Sequence, residues 1–205
     1  MLRSNTFFYL NGPPSVGKDE IGAQLASTLN SQVFTFKRQL IKIAKTIAQV
    51  SDSRWEQLYL AKENPSKRLF GMSPRQFLIQ VSETMVKPSL GADYFGEAAR
   101  KHVLSVGSKI YRPFHPVFTD SGFEPEVGHV IRAFPAARHV VVQLYCEGKT
   151  FKNDSRGYLD LDVEKYPEVM TLKLDNPRVE DELLPSHIKH IVSSILKPTL
   201  VGDLR

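Results

Sequence analysis

Among 205 residues there is one cysteine, Cys146, so no disulfide can form within the chain. That usage fits a reducing compartment. No apolar run approaches the roughly 20 residues that a membrane-spanning helix needs. The apolar stretch after Asn5 is too short for a secretory signal and runs straight into Gly12 and Pro13. A cytosolic protein with no membrane partner is therefore expected. The formal net charge is +5, yet no run of five basic residues occurs. Nucleic-acid footprints gather basic residues on one face, so a small anionic ligand is favoured over nucleic acid. The histidines have no metal-ligand spacing with the cysteine, and His187 and His190 are read as surface residues. Internal repeats and low-complexity tracts are absent, and spacing alone supports no nucleophile–base pair.

What is present is ordinary for a globular domain: 41% hydrophobic and 24% charged residues. The length suits a single domain over 1–205. Strand-like runs alternate with helical ones. Strands are expected at Thr6–Leu10, Val33–Phe36, Pro116–Asp120, Val140–Tyr145 and Val169–Leu174, with Val140–Tyr145 the clearest central candidate. Helices are expected from Lys18, through Leu40–Ile47 and Ser51–Ala61, from Ser73 to Pro88 with Met85 on the apolar face, and at Ala92–Val106, Glu124–Phe134 and Val179–Leu196. Ser73-Pro74 is a strong helix start, with serine as N-cap and proline in the first turn. Residues 150–167 are polar and read as a mobile segment. Alternating strands and helices predict an α/β three-layer sandwich, with a mainly parallel sheet covered on both faces.

The strongest motif is Gly12-Pro13-Pro14-Ser15-Val16-Gly17-Lys18-Asp19. It has the form G-x-x-x-x-G-K between a strand and a helix, the context of a phosphate-binding Walker A loop. Main-chain N–H groups of such a loop turn inward around phosphate oxygens, and the helix N-terminus adds partial positive charge. Lys18 would bridge the β- and γ-phosphates of ATP. Asp19 stands where a hydroxyl usually meets Mg²⁺; a carboxylate also ligates that ion, directly or through water.

Asp120 ends a strand, where ligands gather in open α/β sheets. It is a candidate for the Mg²⁺ shell or for orienting an acceptor, or else a turn or N-cap residue. An acceptor phosphate needs arginine or lysine, and Arg38, Lys42, Arg75 and Lys87 are candidates, each otherwise a solvated surface charge. Arg156 belongs to the 150–167 segment, where an arginine-bearing lid would exclude water. Phe36, Trp55, Tyr59 and Phe95 are candidates for stacking on a base, or core residues.

With these residues in place, the chain resembles the phage-type deoxynucleoside monophosphate kinases, P-loop enzymes that pass a phosphoryl group from ATP to a dNMP with Mg²⁺. Aspartate after the P-loop lysine is usual in that family, so Asp19 agrees with it. Ser73-Pro74-Arg75-Gln76-Phe77-Leu78 followed by Ser82-Glu83-Thr84 is similar to its Pro-Arg-x-Leu-Leu block. Lys87 stands where the family tends to have arginine, and Phe95 where it tends to have tryptophan. Phe118 to Glu126 is similar to a strand ending in Asp-x-Arg with a later Glu; Asp120 and Glu126 match, while Gly122 replaces the arginine. Lys152-Asn153-Asp154-Ser155-Arg156 resembles the lid segment, with Arg156 in place of histidine.

The resemblance runs in patches from Phe7 to Arg156. It implies catalytic roles for Lys18, Asp120 and Arg156, and substrate contacts from Arg38, Lys42, Arg75, Lys87 and Glu126. It also implies metal binding by Asp19 and Asp120, a helical substrate-binding region over 37–107, and a lid over 150–167. A dNMP and ATP are the expected partners, a homodimer is compatible with the sequence, and the host cytoplasm is implied for a phage-encoded chain. Two other classes remain open from the residues alone: a P-loop kinase for another small acceptor, and a nucleotide-binding or nucleic-acid-associated protein without turnover.

Overall fold

The structure, a computed structural model, describes residues 5–152, 154–176 and 184–196. Five strands form one sheet in the order β2-β3-β1-β4-β5: β1 (Thr6–Asn11), β2 (Val33–Phe34), β3 (Val117–Phe118), β4 (Arg138–Tyr145) and β5 (Val169–Asp175). Every pairing is parallel, with Phe8 opposite both Val117 and Val140. The helices are α1 (Lys18–Thr28), α2 (Lys37–Ala48), α3 (Asp52–Leu60), α4 (Pro74–Gln80), α5 (Lys87–Leu90), α6 (Tyr94–Gly107), α7 (Glu124–Ala133) and α8 (Leu184–Leu196). The expected α/β three-layer sandwich is what the chain forms.

Side-chain alternation explains the layers. On one face Phe8, Leu10, Val117, Val140, Val142 and Leu144 pack against Ile21 and Leu25 of α1 and against Ile188, Ile191 and Ile195 of α8. On the other, Phe7, Tyr9, Phe118 and Val141 meet the helices of the 37–107 region and α7. Because both faces are covered, β1 and β4 are buried almost throughout, as parallel central strands must be. β4 is interior as expected, paired with β1 and β5, and β1 lies in the middle of the five.

Several boundaries differ from the sequence-based expectation for identifiable reasons. β2 and β3 each contain only two ladder residues, because beyond Phe34 the main-chain N–H groups of Phe36 and Lys37 turn to the Asp120 carboxylate. Met85, expected on an apolar face, is 47% exposed. A π-helical stretch, Val81–Val86, intervenes between α4 and α5. Val81 is buried as expected, and the wider turn rotates the face so that Ser82 and Val86 are buried in place of Met85. Gly91, at φ 103°, stops the run. Leu183 and the expected helical residues 179–183 lie outside the described residues, as does Asn153 of the lid block.

The 150–167 segment is pinned in its second half. Buried Asn11, at the end of β1, accepts a bond from the Leu159 N–H (2.9 Å) and donates to the Gly157 carbonyl (3.0 Å). Gln143 donates to the Leu159 carbonyl (2.7 Å), and the Tyr158 hydroxyl to that of Leu144 (3.1 Å). Leu159 and Tyr166 are buried in the core. Among the described residues, no helix is long and apolar enough to cross a membrane.

Candidate active site

At the C-terminal ends of β1 and β3 the sheet opens into a cleft that is continuous with solvent. The loop between β1 and α1 forms one wall. Close packing fixes its course: a Cβ at Gly12 would lie 2.7 Å from the Leu144 carbonyl oxygen, so only glycine lets the chain pass β4 there. Gly17 adopts the left-handed conformation (φ 86°, ψ 16°) and starts α1, whose N-terminus has no side-chain cap. Asn176 donates to the Val16 carbonyl (2.8 Å), anchoring the loop's outer side to the end of β5.

Pro13 and Pro14 have no N–H, so the donors for an anion fall to residues 15–19, at the helix start where the dipole also favours negative charge. Pro14, Ser15, Lys18 and Asp19 line the cleft. Lys18 donates from Nζ to the carbonyls of Gly12 (2.7 Å) and Pro13 (2.6 Å). Burial and then the Arg156 charge lower its pKa to about 8, against the pull of Asp19, Asp154 and Asp120.

Asp120 sits at the end of β3 and is nearly buried. Its two carboxylate oxygens accept from the main-chain N–H groups of Phe36 (2.9 Å) and Lys37 (3.0 Å). It therefore caps the start of α2, a helix far away in sequence, rather than the nearby α7. The same carboxylate lines the cleft, as does Asp19. Burial pulls the Lys37 pKa down, but Asp120, Tyr59 and Asp19 outweigh it and leave that pKa above the ordinary lysine value.

The far wall comes from α4, the π-helical stretch, α6, α7 and residues 154–156. Arg75 lies at the start of α4. This helix start closes on itself: Ser73 and Gln76 form a reciprocal capping box, and the Arg75 N–H donates to the Lys62 carbonyl. The guanidinium, not the helix N-terminus, is thus what α4 presents to an anion. Arg75 bonds Glu63 (2.7 Å) and Asp154 (3.2 Å). Arg156 makes a two-pronged contact with Asp154, at 2.8 and 2.7 Å. Burial works to raise the Asp154 pKa, but hydrogen bonds and charge from Arg156 hold it below the ordinary value.

Deeper in, Glu126 is buried and its pKa is pushed up to about 8, mainly by desolvation, with Lys87 opposing. Lys87 bonds Glu83 (2.8 Å), lies 3.5 Å from Glu126 and stands over the Phe123 ring.

Of the residues singled out from the sequence, Lys18, Asp19, Arg75, Asp120, Glu126 and Arg156 meet around this cleft, and Lys87 touches two of its acidic residues. Arg38 and Lys42 do not line it. Four residues apart on α2, they share a helix face near His102, whose pKa is lowered by burial and by their two charges. Lys37, one position before Arg38 and a quarter-turn away, takes the place expected of them. Phe36, Tyr59 and Phe95 line the cleft, whereas Trp55 is buried and stacks on Tyr59. Lys37, Lys62 and Asp154 were not picked out from the sequence as site residues. The signal available for Asp154 was its carboxylate two residues before Arg156.

The donor set fits ATP with Mg²⁺: an uncapped helix start, a buried lysine and two carboxylates, Asp19 and Asp120, lining the same cleft. Among the described residues, no group of three or more His, Cys, Asp or Glu side chains is arranged to hold a metal ion. Mg²⁺ keeps several waters and takes one or two carboxylates with phosphate oxygens, so two suffice.

No protein-family model matches the chain, and no curated protein matches it. Solved structures similar to it include shikimate kinase from Aquifex aeolicus, at 14% identity and TM-score 0.41, over 93% of this chain and 98% of that one. A gluconokinase from Sinorhizobium meliloti gives 10% identity and TM-score 0.42, over 95% and 97%. Shikimate kinase from Acinetobacter baumannii in complex with shikimate gives 11% and 0.41, over 95% and 96%. Every one of these TM-scores lies below 0.5, and the site's chemistry rests on this chain's own residues.

Proposed function

We propose that the protein is an ATP-dependent phosphotransferase whose acceptor is itself a phosphate ester, a deoxynucleoside monophosphate. The observation that carries this reading is the placement of Arg75 and Arg156 on one carboxylate oxygen, facing the P-loop lysine across a cleft with aromatic walls. Two guanidiniums brought this close favour a dianion, and their planar donors match phosphate. A plain hydroxyl acceptor has no need of them. Phe36, Tyr59 and Phe95 supply flat apolar surface for a base.

In the reaction, an oxygen of the acceptor phosphate attacks the γ-phosphorus of ATP. The bond from that phosphorus to the β–γ bridging oxygen breaks, and its electron pair leaves with ADP. A phosphate nucleophile is already ionised, so no general base is required, and catalysis reduces to positioning and charge. Lys18 and the N–H groups of residues 15–19 hold the donor phosphates. Arg75 and Lys37 orient the acceptor, and Arg156 neutralises charge between them. Asp19 and Asp120 would hold Mg²⁺, which would supply positive charge to offset that of the phosphates.

The test is ADP release from Mg-ATP with dTMP, dGMP, dCMP, dAMP and the ribonucleotides, with Lys18→Ala as control. Saturable release with at least one dNMP, lost in the variant, is expected. ATP binding with no dNMP-dependent release would overturn the reading. Release with unphosphorylated hydroxyl acceptors alone would move the protein to another class of small-molecule kinase.

A further inference from the structure

Gly122 and Asp154 carry no chemistry of their own toward a nucleotide, yet both shape the path of Arg156. A Cβ placed on Gly122 would lie 2.5 Å from Arg156 Cδ, 2.6 Å from Cγ and 2.8 Å from Cβ. Contacts this short with the stem, and not just its tip, leave the arginine no route past any larger residue. The side chain therefore crosses the sheet end through space that exists only because position 122 is glycine.

At the end of that path Asp154 fixes the guanidinium. One carboxylate oxygen accepts from Arg156 Nε and from its own main-chain N–H (2.8 and 3.0 Å), and the other accepts from Nη2 (2.7 Å). The second oxygen also accepts from Arg75 Nη1 at 3.2 Å. The Asp154 side chain is only 4% exposed. One buried carboxylate thus holds two arginines, one of them 79 residues away from it in sequence. Without it, two guanidiniums in one place would repel each other. Arg156 Nη1 meanwhile points to the Asp120 carbonyl at 3.5 Å, on the P-loop side.

Resting on the phosphotransferase reading above, we propose that Gly122 and Asp154 are positioning residues for phosphoryl transfer. Gly122 opens the channel that brings Arg156 to the P-loop. Asp154 couples that arginine to Arg75, so the acceptor-side and donor-side charges are set together. The site's arginine is delivered from the 150–167 segment rather than from the strand end at 122.

The proposal separates kcat from KM. Gly122→Ala displaces Arg156 and leaves Arg75 its Glu63 and Asp154 partners, so kcat should fall roughly 10²-fold, as a misplacement near 1 Å does, with a much smaller rise in the KM for the dNMP. Asp154→Asn keeps the shape but loosens both arginines, so kcat should fall and the KM for the dNMP should rise, each roughly tenfold or more. A second readout needs no turnover. The Arg156 Nε–H proton, followed by NMR, should exchange slowly with solvent in the wild type and rapidly in both variants.

Wild-type kcat in Gly122→Ala, or an Arg156 Nε–H as protected in the variants as in the wild type, would overturn the proposal. So would a loss in Gly122→Ala that falls equally on kcat and KM and tracks a lowered melting temperature, since that reports mere destabilisation. If the wild type turns over no dNMP at all, the acceptor reading fails, and the role in transfer with it. The Nε–H measurement would then still decide whether these two residues place the arginine.

Discussion

On the phosphotransferase reading, the two walls of the cleft would hold phosphate by different means. On the β1–α1 side the donors are main-chain N–H groups of residues 15–19, backed by one lysine and locked by packing of Gly12 on β4. Across from it the groups are long side chains: Arg75 and Arg156, both held by the Asp154 carboxylate, and Lys37, which feels the charge of Asp120. A main-chain cradle is set once the loop folds. A side-chain cradle depends on partners that come from distant parts of the chain. The first should tolerate change around it and fail only when its lysine is lost, whereas the second should fail through its supports.

The largest effect is expected at Lys18. Lys18→Ala should lower kcat by about 10²- to 10³-fold, the range for loss of a group stabilising transition-state charge. The fold should persist, because the lysine bonds only carbonyls of its own loop. A steady-state assay paired with a thermal melt checks both; an active variant would break the assignment of the donor side.

Next comes Arg75. Its loss should raise the KM for the acceptor roughly 10- to 100-fold, the worth of a charged hydrogen bond, with the KM for ATP little altered. Arg38→Ala and Lys42→Ala, away from the cleft, should leave both constants near wild type. If instead the α2 pair mattered and Arg75 did not, the acceptor would sit elsewhere.

That contrast tracks what could be read from the residues alone. The donor wall is local: eight consecutive residues, Gly12 to Asp19, carry it, and a short motif in strand–loop–helix context is enough to find it. The sheet was legible for the same reason, since β1 and β4 announce burial on both faces through continuous apolar runs. The acceptor wall joins Lys37, Arg75, Asp120 and Asp154, residues brought together only by the parallel crossovers. Arg38 and Lys37 differ by a single step on α2, and nothing in composition says which faces inward. That is settled by Asp120 capping the helix start. The π-helical turn that exposes Met85 is likewise invisible to a 3.6-residue period.

The pinning of residues 157–161 offers a sharper test on stability than on rate. Asn11 is fully buried and makes three bonds, to Ser121, Gly157 and Leu159. Asn11→Ala would strand three main-chain groups, at a cost of about 2 to 4 kcal/mol by the usual penalty for unsatisfied buried groups. Urea denaturation measures it. A loss well under 1 kcal/mol would mean that this stretch is not held to β1 in solution.

Lys18 also gives the donor side a pH signature. With its pKa at about 8, the free protein loses the charge as pH rises beyond that value. The kcat/KM for ATP should then fall tenfold per pH unit at most, while bound phosphate, favouring the charged form, holds kcat level further up. A kcat/KM flat to pH 10 would place the lysine in a wetter setting.

The smallest effect concerns Glu126, whose pKa is pushed up to about 8 by burial. In the unfolded chain it ionises near 4.5, so between about 4.5 and 8 the folded state holds the extra proton. Stability must then decline as pH rises through that window and level off above it. Glu126→Gln keeps the shape and removes the proton, so it should match the wild type near pH 4.5 and exceed it by on the order of 1 to 3 kcal/mol at pH 8. Lys87 retains Glu83 in the variant and is not left alone. Urea titrations at the two pH values give the answer. A difference that does not change with pH would mean that Glu126 is ionised in the fold and pairs with Lys87. The acceptor wall would then be a fully charged network down to its floor.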